Sequence, residues 1–220
     1  MSARAAVVLS LVVLSSAPAA ASAHVVLHVR PYRTIRLHVE PRLHAPVLQR
    51  VHARDLWSRR TALGVVARRA GWYGVSTATR RANRIGWVRA AGGNLTVERT
   101  GYAIAISRAH RHLVLLHGPH VLMRVRVSVG APATPTPAGR FAVTDLLPGR
   151  RWAPGLGCCV LVLSARQPRP PPWWDPAVPA TIALHGGSVG AASAGCVHVP
   201  AHALRRLFRT IPPGTRVTIS

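Results

Sequence analysis

The stretch Ala180-Thr181-Ile182-Ala183-Leu184-His185-Gly186-Gly187-Ser188-Val189-Gly190-Ala191-Ala192-Ser193-Ala194-Gly195-Cys196-Val197-His198-Val199-Pro200-Ala201-His202 decides how this chain is to be read. Thr181 to Leu184 has the character of a short buried strand, and it delivers His185 at its end. A loop of glycine, serine and alanine follows, and Cys196 comes after Ser193-Ala194-Gly195. Small residues beside a cysteine let backbone amides approach its sulfur unobstructed. Such amides can hold the oxyanion of a tetrahedral intermediate. An imidazole beside the thiol can take its proton and lower a free pKa of about 8.5. The carbonyl of Gly186 is a candidate acceptor for the other imidazole nitrogen, fixing the tautomer without a carboxylate. These residues form a candidate Cys–His acyl-transfer site, although on spacing alone a cysteine with a histidine nearby is more often structural.

Downstream of this stretch, Leu204, Leu207, Phe208 and Ile211 recur at i, i+3, i+4 and i+7, the apolar face of one short helix. Pro212-Pro213-Gly214 stops it, and Val217 and Ile219 predict a final strand. Upstream, Arg166 to Pro179 is proline-rich, holds Trp173-Trp174 and reads as a loop. The pair is read equally as the edge of a substrate cleft or as packing under that loop. Cys158 to Leu163, Phe141 to Thr144, Tyr102 to Ile106 and His112 to Leu116 read as strands. Val121, Met123, Val125, Val127 and Val129 alternate with polar residues, predicting one half-buried strand running through Val129. Cys158 and Cys159 are expected as two small hydrophobes in a strand, because Cα atoms 3.8 Å apart fall below the usual disulfide range.

From about Tyr32 to Ala90 short strands alternate with turn residues, the pattern of a small β-barrel. Ala91-Gly92-Gly93-Asn94 is expected to be a hinge. At the N-terminus, Arg4, the apolar run Ala5 to Leu14 and Ala21-Ser22-Ala23 have the layout of an export signal with its cleavage site. Ten residues are too few to span a bilayer, which takes about 20, so no stable membrane insertion is expected after cleavage. The organisation expected is a signal over residues 1–23, a barrel over 32–92 and a catalytic segment over 100–220.

Two resemblances sharpen this picture. Gly71-Trp72-Tyr73-Gly74-Val75 and Arg81-Ala82-Asn83-Arg84-Ile85-Gly86-Trp87-Val88 resemble the closing half of a bacterial SH3-type domain, a companion of cell-wall enzymes. Trp72 and Trp87 are then either ligand-binding aromatics or, more commonly for such residues, core. Ile182-Ala183-Leu184-His185-Gly186, followed by Ser193-Ala194-Gly195-Cys196-Val197, resembles the signature of the L,D-transpeptidase (YkuD-like) catalytic domain. Val127-Ser128-Val129-Gly130 with Thr134-Pro135-Thr136-Pro137-Ala138-Gly139-Arg140-Phe141 resembles that family's upstream element.

Together the resemblances imply a mostly β protein, the first a small SH3-like barrel and the second, following it, a β-sandwich-like catalytic domain with one short helix. The L,D-transpeptidase resemblance implies an acyl transfer on peptidoglycan stem peptides without a cofactor. Cys196 would be the nucleophile, His185 the base and Gly186 its orienting group, with Ser193, Gly195 and His198 on the substrate and oxyanion side. The stretch departs from the family pattern at Ala194, where a histidine is usual, at His198, where an arginine is usual, and at Gly187, where threonine is usual. The loop from His185 to Cys196 is also shorter.

Composition agrees by exclusion. The 220 residues carry 29 Lys+Arg, all of them arginine, against 5 Asp+Glu, for a formal charge of +24. Without lysine there is no P-loop, Schiff-base or Ser-x-x-Lys chemistry, and the scattered acids make a two-carboxylate glycosidase a poor candidate. The charge fits attraction to anionic wall polymers, or a general bias toward arginine. Nucleic acid is disfavoured because the arginines are spread and no recognition motif is present. A metal site using Cys196, His185, His198 and His202 would need helix continuity across Pro200, which proline opposes. The remaining alternative is a catalytically degenerate wall-binding protein in an exported setting.

Overall fold

The computed structural model describes residues 23–78, 83–151, 153–175 and 180–220. Residues 1–22 of the expected export signal, Arg81 and Ala82 of the first resemblance, and residues 176–179 of the proline-rich loop lie outside them. Among the described residues the fold is mostly β with one α-helix.

The N-terminal strands are β1 (His24–Val29), β2 (Thr34–His38), β3 (Val47–His52), β4 (Ala62–Arg69), β5 (Trp72–Ala78), β6 (Asn83–Arg89) and β7 (Leu95–Thr100). They form one sheet in the order β3-β2-β6-β5-β4-β1-β7. Its core is small: Val25, Leu27, Val29, Ile35, Leu37, Val65, Val75, Val88 and Leu95. Trp72 is buried, meeting His38 edge-on at 5.8 Å between ring centroids. Trp87 is half-buried across Gly74, where a Cβ would lie 3.1 Å from its ring. The expected hinge at 91–94 is instead a turn inside this sheet, leading from β6 to β7, because Gly92 and Gly93 supply positive φ there. The passage between the two sheets is the single residue Gly101.

The second sheet holds β8 (Tyr102–Ser107), β9 (His112–His117), β10 (His120–Arg126), β11 (Gly139–Pro148), β12 (Cys159–Arg166), β13 (Thr181–His185), β14 (Val197–His198) and β15 (Arg216–Ile219). Their order is β10-β9-β8-β15-β11-β12-β13-β14. The helix α1 (Ala201–Thr210) packs on it through Leu204 and Leu207, each wholly buried, with Ile211 beyond its end. Burial of such a leucine is worth about 1.5–3 kcal/mol.

The strand expected to run through Val129 ends at Arg126. Val127 and Val129 still point into the core, so the period of two holds. Their neighbours pair elsewhere: Ser128 bridges His198 and Gly130 bridges Ser193. The segment leaves its sheet edge to clamp both ends of the Ser193–His198 turn.

Strand β11 carries a bulge between Val143 and Asp145. One extra residue reverses which face each later side chain takes. Phe141 and Val143 therefore enter the core on the helix side, while Asp145 and Leu147 turn to the opposite face. On that face Leu147, Val160, Val162 and Ala183 form an apolar patch, with Trp57 of the N-terminal sheet and Cys196 packed against it.

The two sheets approach closely. A Cβ on Gly64 would lie 2.5 Å from the Ala142 Cβ and the Gly214 carbonyl, and one on Gly214 would strike Val26. Ser76 Oγ donates to the Ser164 carbonyl at 3.1 Å, and the Asn83 amide both donates to and accepts from the Arg166 backbone. Asn83 thereby ends β12 as a neighbouring strand would.

Candidate active site

Strands β13 and β14 run parallel, with Leu184 beside Val197 and His185 beside His198. Leu184 and Val197 are fully buried on the core side. Alternation along a strand then sends Ala183 and His185, and Cys196 and His198, to the other face. The register alone puts the nucleophile and base candidates on one side of the sheet.

Cys196 is a free, half-buried thiol. Its Sγ accepts the Ala183 N–H at 3.4 Å and lies 4.0 Å from the Thr181 carbonyl. Burial raises its pKa, with the Ala183 amide working weakly against that. His185 Nδ1 lies 2.5 Å from the Gly186 carbonyl, which makes Nδ1 the donor and leaves Nε2 as the acceptor. Burial, and after it the nearby His198, lowers the His185 pKa, while the Gly186 hydrogen bond resists. At neutral pH the resting pair is therefore a protonated thiol and a neutral imidazole.

The turn carrying Cys196 is fixed by side chains from three segments. Ser193 Oγ donates to the Cys196 carbonyl and accepts the Gly195 N–H at 3.0 Å. Thr136 Oγ1 donates to the Gly195 carbonyl at 2.7 Å and accepts the Gly130 N–H. Gln167 Nε2 donates to the carbonyls of Ala194 and Thr134 at 2.7 and 3.1 Å. Gly195 has φ +124, and a Cβ there would sit 1.9 Å from Gln167 Nε2, so only glycine fits. In this conformation Ser193 and Gly195 spend their polar groups on the turn itself. Gln167 and Ser128, whose Oγ donates to the Ser188 carbonyl and accepts the Gly190 N–H, were missed from sequence because a lone buried polar residue carries no motif.

His198 stacks obliquely on His185 at 5.0 Å, and its Nδ1 is 3.2 Å from the Ser188 carbonyl. A Cβ on Gly187 would lie 2.9 Å from the His198 ring. Two of the departures noted in the sequence are thus one local adjustment, since the missing side chain at 187 makes room for the imidazole at 198. Among the described residues, no three His, Cys, Asp or Glu side chains converge as a metal site would require. Cys158 and Cys159, expected as separate hydrophobes, are joined by a disulfide. Cys158 lies in the turn before β12, its carbonyl accepting the Gly149 N–H at 2.9 Å, and Cys159 opens the strand.

The family model for the L,D-transpeptidase (YkuD) catalytic domain matches residues 101–219, more than half of the chain. The chain belongs to that family. Among solved structures, an Enterococcus faecium L,D-transpeptidase mutant is 18% identical, with a TM-score of 0.42 over 55% of this chain and 50% of its own. A Mycobacterium smegmatis L,D-transpeptidase is 15% identical, with a TM-score of 0.45 over 73% of this chain and 91% of its own. The chain spans about half the length of the first of these. No curated protein is matched by the sequence. In this L,D-transpeptidase domain the matched span begins where the second sheet begins, and it contains the whole Cys196 turn. Among the described residues no helix is long and apolar enough to cross a membrane.

Proposed function

We propose that this chain is an exported cysteine acyltransferase acting on peptidoglycan stem peptides. The observation that carries the reading is the β13–β14 register, which sets Cys196 and a backbone-tethered His185 on one face. His185 Nε2 takes the Cys196 proton as Sγ attacks the carbonyl of the third stem residue, a diamino acid. The oxyanion collapses, the carbon–nitrogen bond to the terminal D-alanine breaks, and the imidazolium returns the proton to that leaving amine. The thioester then acylates an amine of a neighbouring stem, giving a 3→3 cross-link, or water. Gly186 holds the imidazole tautomer. Ser193 and Gly195 shape the turn whose amides serve the oxyanion, and His198 stands on the substrate side. No cofactor is required.

The raised Cys196 pKa and lowered His185 pKa fit a pair that rests neutral and passes its proton only as Sγ attacks, with the Ala183 N–H favouring the thiolate that forms. We assign the N-terminal sheet, read as an SH3-type module, to holding the catalytic face against wall polymer. The positive charge supports attraction to anionic polymers. The test is incubation with a tetrapeptide stem, measuring D-alanine release, together with mass spectrometry after exposure to a carbapenem. Wild type should release D-alanine and gain one adduct on Cys196, and Cys196→Ala should do neither. A folded wild type that gains no adduct and releases no D-alanine would replace this reading by a catalytically degenerate wall-binding protein.

A further inference from the structure

Two of the chain's five acids meet between the sheets. Asp145 is turned out of the catalytic core by the β11 bulge and is 3% exposed. Its side chain meets that of Asp55, which comes from the N-terminal sheet in the loop between β3 and β4. Asp55 is held in place: its Oδ1 accepts the N–H groups of Trp57 and Arg59 at 2.8 and 2.9 Å. Asp145 Oδ1, by contrast, is buried with no hydrogen-bond partner among the described residues. Neither acid is in an ion pair among the described residues, in a chain with 29 arginines. An unpartnered buried carboxyl oxygen is costly unless something is meant to meet it.

Both acids line a cavity of about 570 Å³ between the sheets, walled also by Trp57, Ser76, Thr144 and Thr181. Two contacts link the wall of that cavity to the thiol. The Thr181 carbonyl is 4.0 Å from Cys196 Sγ, and Trp57 and Cys196 pack on the same apolar patch. A pair of carboxyls with an aromatic wall is a receptor for a compact cation on an apolar stem.

We propose that this cavity is a binding subsite for a primary ammonium group, with Asp55 and Asp145 as its receptors, Trp57 flanking the stem and the ammonium-bearing chain reaching to Cys196. The proposal rests on the acyl-transfer reading, since it names the amine-bearing substrate as occupant. Binding exchanges one charge for another: the proton shared by the carboxyl pair leaves to solvent as the ammonium arrives. The basic side chains around the pair are Arg59, on the Asp55 loop, and Arg50, His52 and Arg54, which line the cavity wall. The residues that β4, β5, β11, β12 and β13 contribute to the wall add no ionisable group besides Asp145 itself. Burial and the Asp55 carboxyl push Asp145 up to about 7, so proton and ammonium compete across the neutral range.

The experiment is calorimetric titration of the full chain with Nα-acetyl-lysine amide, using the norleucine analogue as the uncharged control. The lysine probe should bind, with affinity rising about tenfold from pH 5.5 to pH 6.5 and levelling above 7, and with about one proton released. The norleucine probe should not bind, and Asp145→Asn should weaken the lysine probe at least about tenfold. Asp55→Asn and the wild-type pH series decide the matter if Asp145→Asn fails to fold. No saturable binding at pH 7.5 overturns the subsite, as does unchanged affinity in the folded variants. Equal displacement by ammonium chloride at matched concentration, marking an inorganic cation site, overturns it too. Carbapenem acylation of wild-type Cys196 is read separately: acylation without lysine binding removes only the subsite. Lysine binding without acylation removes the Cys196 reading and the subsite's role in it.

Discussion

Replacing Asp145 by asparagine examines the acid pair through stability alone. Burial first, and then Asp55, raise Asp145 from 3.8 to about 7. Between those values the folded protein holds a proton that the unfolded chain has lost. Its contribution to stability is therefore complete below about 4 and declines as pH rises toward 7. At about 1.4 kcal/mol per pH unit, the full interval is worth about 4 kcal/mol, of which about 3 kcal/mol falls between pH 5 and pH 7. His24, His28 and His185 work in the opposite sense. Burial lowers each below 6.5, so stability is lost as pH falls below 6.5 and restored as it rises. Those contributions are common to wild type and variant, and the difference between the two isolates the carboxyl. Asparagine keeps the shape and can donate to Asp55, but cannot ionise. Urea unfolding followed by tryptophan fluorescence should find the variant ahead by about 1 kcal/mol at pH 5, where the wild-type carboxyl has already lost that much. At pH 8 the variant should be more stable by about 4 kcal/mol. A difference that does not change between pH 5 and pH 8 refutes the shared proton.

Three further outcomes are expected. Gly187→Ala meets both a φ of +146 and the His198 ring, and should cost about 1–3 kcal/mol; adding His198→Ala should recover part of it in thermal melts, and no recovery would mean the ring is not the obstacle. Gln167→Ala leaves the carbonyls of Thr134 and Ala194 without their donor and should cost about 1–3 kcal/mol, with slower acylation of Cys196 by carbapenem. D-alanine release should fall on the acid side with a midpoint below 6.5, since buried His185 must be neutral to accept the thiol proton. A midpoint above 6.5 would argue against that base.

The features legible in sequence were those with a period or a motif. The helix face at Leu204, Leu207 and Ile211 and the final strand at Val217 and Ile219 are where the apolar spacing put them. Val127 and Val129 show the limit: their burial follows the alternation, yet their pairing goes to the Cys196 turn, because periodicity reports which face a residue takes and not which strand it meets. The same limit misplaced the hinge, since two consecutive glycines signal positive φ without saying whether the turn lies within a sheet or between sheets. Asp55 and Asp145 lie 90 positions apart and meet only through a bulge, a one-residue irregularity that the apolar pattern does not announce. Gln167 likewise acquires its role from where β12 happens to end.

The glycines at 64 and 214 bear on how this chain can be dissected. Domains joined as exchangeable cassettes meet through side chains that can be swapped in sets. Here the backbones themselves touch, and no residue larger than glycine fits at either contact without displacing its neighbours. Severing the chain at Gly101 would not liberate a ready-made enzyme. It would strip Asn83 from the end of β12 and lay the Leu147–Val160–Val162–Ala183 patch open to water beside the thiol. The two sheets cover one another, and any attempt to borrow the second sheet alone should carry the Trp57 loop with it.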